Sequence, residues 1–166
     1  MNAAKSPKYV WQILVAVTLT IIPATFYATP QSQPNIGVNG YFSADKVKRG
    51  TGQGVVVMEI PSGFHVHSNR PLEKFLIATQ LQIDAPNGVR VGPVVYPRAI
   101  LRSLKFSKNK VAVYEGKTTM RFNVTVDAVF GSGSFELKGR LRYQSCNDEL
   151  CFPQQTREVK IPITVK

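Results

Sequence analysis

The chain is poor in cysteine, tryptophan and acidic residues. Only Cys146 and Cys151 occur among 166 residues, and Trp11 is the one tryptophan. Two cysteines leave a single thiol pair as the only evident redox constellation. Trp11 falls in an N-terminal leader, so the rest of the chain lacks the core tryptophan and the intersheet disulfide of antibody domains. Ten Asp and Glu stand against 21 Lys and Arg, a net charge of +11. A basic exported domain could bind nucleic acid, an anionic surface or acidic proteins. The cations, however, stand singly at outward strand positions such as Lys138, Arg140, Arg142, Arg157 and Lys160. With no aromatic-interleaved basic cluster, nucleic-acid binding is not expected. A Ser–His–acid set, a glycine-rich phosphate loop and paired carboxylates at a pocket are also missing. Beyond the leader there is no helical period and no repeat.

Residues 1–28 read as a signal peptide. Lys5 and Lys8 form a positive start, Trp11 to Ile22 is apolar, and Ala28 before Thr29-Pro30 offers a cleavage point. Phe26, three residues before that point, is larger than the usual small residue, and the apolar stretch approaches spanning length. An uncleaved N-terminal anchor is therefore the alternative, and it would be the protein's only membrane contact. No cysteine follows the apolar run, which excludes a lipoprotein. Cleavage would remove Lys5, Lys8 and no acid, turning +11 into +9. Export means an oxidising compartment, where a cysteine pair rests oxidised unless something reduces it. Residues 29–38, rich in Pro, Gln and Ser, read as a linker, and residues 39–166 as one domain.

Within that domain the dominant signal has a period of two. Met120, Phe122, Val124 and Val126 alternate with Thr119, Arg121, Asn123, Thr125 and Asp127. Phe135, Leu137, Leu141 and Tyr143 alternate with Glu136, Lys138, Arg140 and Arg142. Such alternation marks strands with one face in a core. Further strands are expected at Tyr41–Val47, Val55–Ile60, Phe64–His67, Ala78–Asp84, Val89–Tyr96, Val111–Tyr114 and Val159–Val165. Turns are expected at Gly52-Gln53-Gly54, Pro61-Ser62-Gly63 and Pro86-Asn87-Gly88. Pro97 to Lys110 is the least regular stretch. Eight or nine short strands with frequent turns predict an all-β antiparallel sandwich.

Both cysteines lie in Tyr143-Gln144-Ser145-Cys146-Asn147-Asp148-Glu149-Leu150-Cys151-Phe152-Pro153. Asn147-Asp148 is turn chemistry, and Leu150 to Phe152 starts a return strand that Pro153 cuts off. The cysteines then face each other across a hairpin mouth, at a spacing that suits a disulfide. In the chain-entropy model a loop of about six residues contributes roughly 2 kcal/mol, against about 3 for fifteen residues. This is a weak staple and a convenient place for a dithiol that opens without disturbing the fold. A local structural bridge remains the other reading of the spacing.

The segment Arg142 to Pro153 resembles the active-site hairpin of the N-terminal periplasmic domain of DsbD-type thiol:disulfide interchange proteins. The likeness continues through Gly63-Phe64-His65-Val66-His67-Ser68-Asn69, Val94-Val95-Tyr96-Pro97 and Val113-Tyr114-Glu115-Gly116, covering roughly Asn39 to Lys166. It implies an immunoglobulin-like sandwich in a periplasmic protein, passing electrons by dithiol–disulfide exchange without a cofactor. It further implies that Cys151 forms the mixed disulfide with partners and that Cys146 resolves it. A phenylalanine-bearing loop shields the pair in that family, and Leu104-Lys105-Phe106-Ser107 is the matching place, with Phe106 as the shield. Tyr143, Asp148, Glu149 and Phe152 are the expected supporting residues. No positive charge near the sulfurs is evident, and Asp148 and Glu149 should raise the thiol pKa values.

His65 and His67 share a strand face. With both cysteines they could build a zinc or copper site, or they line the redox site; no metal is expected. Because the sequence ends at Lys166, both the thioredoxin-like reductant and the oxidised client proteins are expected to act in trans. Two readings from other classes compete with a thiol–disulfide oxidoreductase. One is a non-redox immunoglobulin-like binding module with an inert bridge, and the other is a metal-binding chaperone.

Overall fold

The computed structural model describes residues 32–44, 47 and 50–166. The expected signal peptide or anchor, and the first residues of the expected linker, lie outside these. Among the described residues there are eleven strands and no helix. They are β1 (Gly37–Phe42), β2 (Gly50–Glu59), β3 (His65–His67), β4 (Gln80–Asp84), β5 (Val89–Val91) and β6 (Ile100–Arg102). The remainder are β7 (Val111–Tyr114), β8 (Lys117–Val126), β9 (Gly133–Tyr143), β10 (Ser145–Cys146) and β11 (Gln155–Val165).

They form three sheets, ordered β1-β2-β8-β5, β10-β3-β7-β6 and β11-β9-β4, with every strand pair antiparallel. The result is an immunoglobulin-like β-sandwich, as the sequence predicts. The main core draws on all three sheets, through Val56 and Met58 of β2, Met120 and Phe122 of β8, Leu137 and Leu141 of β9, and Val66 and Tyr114 of β3 and β7. Met120, Phe122, Val124 and Val126 are all buried, so the period of two in β8 sets its core face. The same holds for Leu137, Leu141 and Tyr143 in β9, and Pro162 lies exposed on β11 at a sheet edge.

Several elements differ from the sequence reading. Strands number eleven rather than eight or nine, because β6 and β10 are too short to show a period. The first strand is Gly37–Phe42 rather than Tyr41–Val47; Ile36 before it is already buried, and Val47 makes only a parallel bridge to Val165. Gly52-Gln53-Gly54 is not a turn but part of β2. A Cβ at Gly54 would run into the ring of Phe122, so glycine is there for close packing. At Gly88 the turn reading holds, since φ is +85° and the Val89 amide donates to the Pro86 carbonyl at 3.1 Å. No return strand runs from Leu150 to Phe152; Cys151 makes a single bridge to Cys146.

The sheet β10-β3-β7-β6 positions the site. Register pairs Val66 with Tyr114, and both enter the main core. Alternation sends His65 and His67 to the opposite face, where His67 pairs with Val113 and His65 pairs with Cys146. That outer face is covered by a second apolar cluster of Leu76, Leu104, Val111 and Val113, with Phe106 packed against it. The irregular segments around residues 68–79 and 103–110 thus roof the sheet, which explains why all of β3 is buried.

Candidate functional site: the cysteine turn and its cover

The chain leaves β9 at Tyr143, where it was paired with Gln155 of β11, and after Gln144 joins a different sheet as β10. Its neck is fixed by polar contacts. The Tyr143 hydroxyl donates to Gln155 Oε1 at 2.7 Å, and Gln144 Nε2 donates to the Phe152 carbonyl at 3.0 Å. The turn is an Asx turn: Asn147 Oδ1 accepts from the amides of Glu149 and Leu150 at 2.9 and 2.8 Å. The Asn147 amide donates to the Leu150 carbonyl at 3.0 Å, and the Phe152 amide donates to the Ser145 carbonyl at 2.9 Å. These two bonds flank the cysteines, making Cys146 and Cys151 a non-hydrogen-bonded cross-strand pair, the kind whose side chains approach most closely. Their Cα atoms are 4.0 Å apart, and the sulfurs are joined in a disulfide.

The two sulfurs have unequal surroundings. Cys146 is fully buried, whereas Cys151 is partly exposed. Phe152, next to Cys151, is buried and tilts against Phe64 with ring centroids 6.0 Å apart. Phe106 lies over the site from the roof, stacked on His65 at 6.5 Å between centroids with the ring planes 22° apart. Its segment is clipped to the cysteine turn itself. The Lys105 amide donates to the Asp148 carbonyl at 3.2 Å, and Lys105 Nζ meets Glu149 Oε1 at 3.1 Å. Phe106, Asp148, Glu149, Tyr143 and Phe152 are thus gathered around the cysteine turn. The acids are exposed, and Lys105 supplies beside Glu149 a positive charge that spacing along the chain does not reveal. Beside the turn a cleft of about 470 Å³ opens between the Asp148 and Arg102–Glu115 side chains and the Pro61–Phe64 turn.

A further site residue is His67, which sequence reasoning left between a metal role and a lining role. Its Nε2 is 3.5 Å from Cys146 Sγ and 3.9 Å from Cys151 Sγ. Its Nδ1 is 3.3 Å from the Ile77 carbonyl. A carbonyl only accepts, so Nδ1 carries a proton and Nε2 of the neutral ring turns its lone pair to the sulfurs. Burial holds His67 below the ordinary imidazole value, partly opposed by the bond to Ile77. His65 is lowered as well, first by burial and then by the charge of His67, while Glu115 and Asp148 pull the other way. The Nε2 of His65 is buried without a protein partner. His67 and the two sulfurs place three donor atoms within 4.8 Å of one another, and His65 does not join them. The four-ligand site considered from sequence is therefore not assembled, and in the disulfide state neither sulfur offers a thiolate.

Residues 38–163 match the family model for the N-terminal domain of the thiol:disulfide interchange protein DsbD. No curated protein matches the chain. Among solved structures, the chain is similar to the reduced Neisseria meningitidis DsbD N-terminal domain, at 18% identity and a TM-score of 0.48, covering 76% of this chain and 85% of that one. It is also similar to the N-terminal periplasmic domain of ScsB from Proteus mirabilis, at 11% identity and a TM-score of 0.47, covering 75% of this chain and 43% of that one. With the family match spanning most of its length, the chain belongs to the DsbD N-terminal domain family.

Proposed function

We propose that this domain is an exported electron carrier, taking electron pairs from a thioredoxin-like donor and passing them to oxidised client proteins through Cys146 and Cys151. Family membership supplies thiol–disulfide interchange with redox partners, and DsbD N-terminal domains are periplasmic. The observation that carries the finer reading is the asymmetry of the pair, with Cys146 buried and Cys151 partly exposed at a turn held by its own hydrogen bonds. Cys151 is the sulfur a partner thiolate can reach, and Cys146 resolves. In the reducing direction, the Cys151 thiolate attacks a client disulfide and one client sulfur leaves. Cys146 then attacks Cys151 Sγ, the second client sulfur leaves, and the domain becomes the disulfide. Phe106 and its segment act as the removable cover.

The reduction potential tests this. A working carrier should lie above about −300 mV, whereas an inert structural bridge should lie below it. A value well below that mark would transfer the assignment to a non-redox binding module.

A further inference from the structure

Each half-exchange moves protons as well as electrons, and Cys146 is fully buried, away from the protein surface. Among the described side chains, the basic atom within reach of its sulfur is His67 Nε2 at 3.5 Å. The ring is not free to choose its tautomer, because the Ile77 carbonyl holds Nδ1 as the donor. Ile77 is itself held in place, since Thr79, two residues on, is bonded to the C-terminal end of β3, which is bonded in turn to β7. Thr79 Oγ1 donates to the His67 carbonyl, the Thr79 amide to the Ser68 carbonyl at 3.2 Å, and the Ser68 amide to the Ala112 carbonyl at 2.9 Å. A buried lone pair is thus aimed at the two sulfurs by three elements.

We propose that His67 is the proton acceptor and donor for Cys146, a catalytic residue of the exchange; this rests on the carrier reading above. In the mixed disulfide, Cys151 Sγ is bonded to a partner sulfur and Cys146 is a thiol. Nε2 takes the Cys146 proton, and the thiolate attacks Cys151 Sγ. The bond to the partner breaks, and the partner sulfur leaves with the electron pair and recovers the proton from the imidazolium. Taken with the first attack by Cys151, two electrons and two protons pass from the dithiol to the partner disulfide. Running backwards, the imidazolium protonates Cys146 as it leaves. The lowered basicity from burial keeps the ring neutral, hence ready to accept, at neutral pH.

The titratable groups facing the ring are the two sulfurs, from β10 and the bridge residue after the turn, and His65 on β3. Arg102 and Glu115 pair with each other and, with Asp148, act on His65. On the roof, Lys105 holds Glu149, and Glu73 accepts from Asn109.

The test uses the reduced protein and Ellman's reagent, whose aromatic thiolate is a leaving group needing no proton. The release of the second aromatic thiolate then reports Cys146 deprotonation and attack alone. With His67 as base, that rate rises through the imidazole titration below pH 6.5 and is level by about pH 7. In His67→Gln and His67→Phe it should instead climb about tenfold per unit towards the ordinary thiol value of about 8.5, and be at least about tenfold slower at pH 7. A merely structural role would slow release equally at all pH. Unchanged profiles in both variants overturn the proposal. So does a wild-type rate that itself climbs to about 8.5, a readout that holds even where a variant fails to fold. Failure here with a reduction potential still above the structural range would leave the carrier reading intact.

Discussion

Phe106 stacks on His65, and His65 is the register partner of Cys146. Phe106 therefore sits on the residue directly across the ladder from the buried sulfur. The segment bearing Phe106 holds the cysteine turn by one backbone bond and one exposed ion pair, both of which can open without disturbing the main core. On the carrier reading, a partner docking on the turn would compete with those two contacts.

Phe106→Ala should speed reduction of the disulfide by a small thiol such as dithiothreitol several-fold. Phe106 is only partly buried and belongs to the small roof cluster, so its loss should cost less than the about 3–5 kcal/mol of a core phenylalanine. Stopped-flow reduction and a melting curve check both. An unchanged rate would mean that Phe106 packs the roof without shielding the pair.

Reducing the disulfide should cost about 2 kcal/mol or less, because the bridge closes a short loop and the turn has its own bonds at Asn147, Gln144 and Tyr143. Leu141→Ala, in the fully buried core, should cost about 2–5 kcal/mol. Chemical denaturation with and without reductant ranks them. Global unfolding on reduction would return the bridge to a structural role.

Charges on the turn should tune the thiols. Asp148→Asn and Glu149→Gln each remove a negative charge and should speed alkylation of the reduced protein at neutral pH, by roughly two- to threefold given their exposure. Lys105→Gln, which leaves Glu149 unpaired, should slow it. The effects should shrink in high salt. Rates that ignore all three substitutions would show that these charges do not reach the sulfurs.

The two histidines also make stability depend on pH. Both are held below 6.5, so between the folded and unfolded values the unfolded chain binds more protons and stability rises with pH. Their contribution is complete above about 6.5 and is lost as pH falls through the lowered folded values. Melting temperatures at about pH 7.5 and pH 5 should fall less in the His65→Gln, His67→Gln double variant than in the wild type. Equal losses would place the acid sensitivity elsewhere.

Sequence patterning carried most of the fold and part of the site. Long strands such as β8 and β9 repeat the alternation often enough to declare their buried face. Strand β6 is exposed at all three residues and β10 has only two, so neither shows a period. The switch of the cysteine strand from β9's sheet to β3's was invisible for the same reason. In the sequence Gly54 reads as a turn residue because glycine signals tight turns and close packing alike; the ring of Phe122 distinguishes them only in three dimensions. The spacing of His65 and His67 shows a shared face. That His67 meets both sulfurs depends on the β10–β3 pairing, a contact 79 residues apart in sequence.

The most direct test of the carrier account is trapping in the native compartment. Cys146→Ala should accumulate a mixed disulfide between Cys151 and a thioredoxin-like partner, seen on a non-reducing gel and identified after excision, because no thiol remains to resolve it. Cys151→Ala should accumulate none, since Cys146 is buried beneath the turn. An adduct from Cys151→Ala alone would reverse the two roles, and no adduct from either variant would contradict the carrier account.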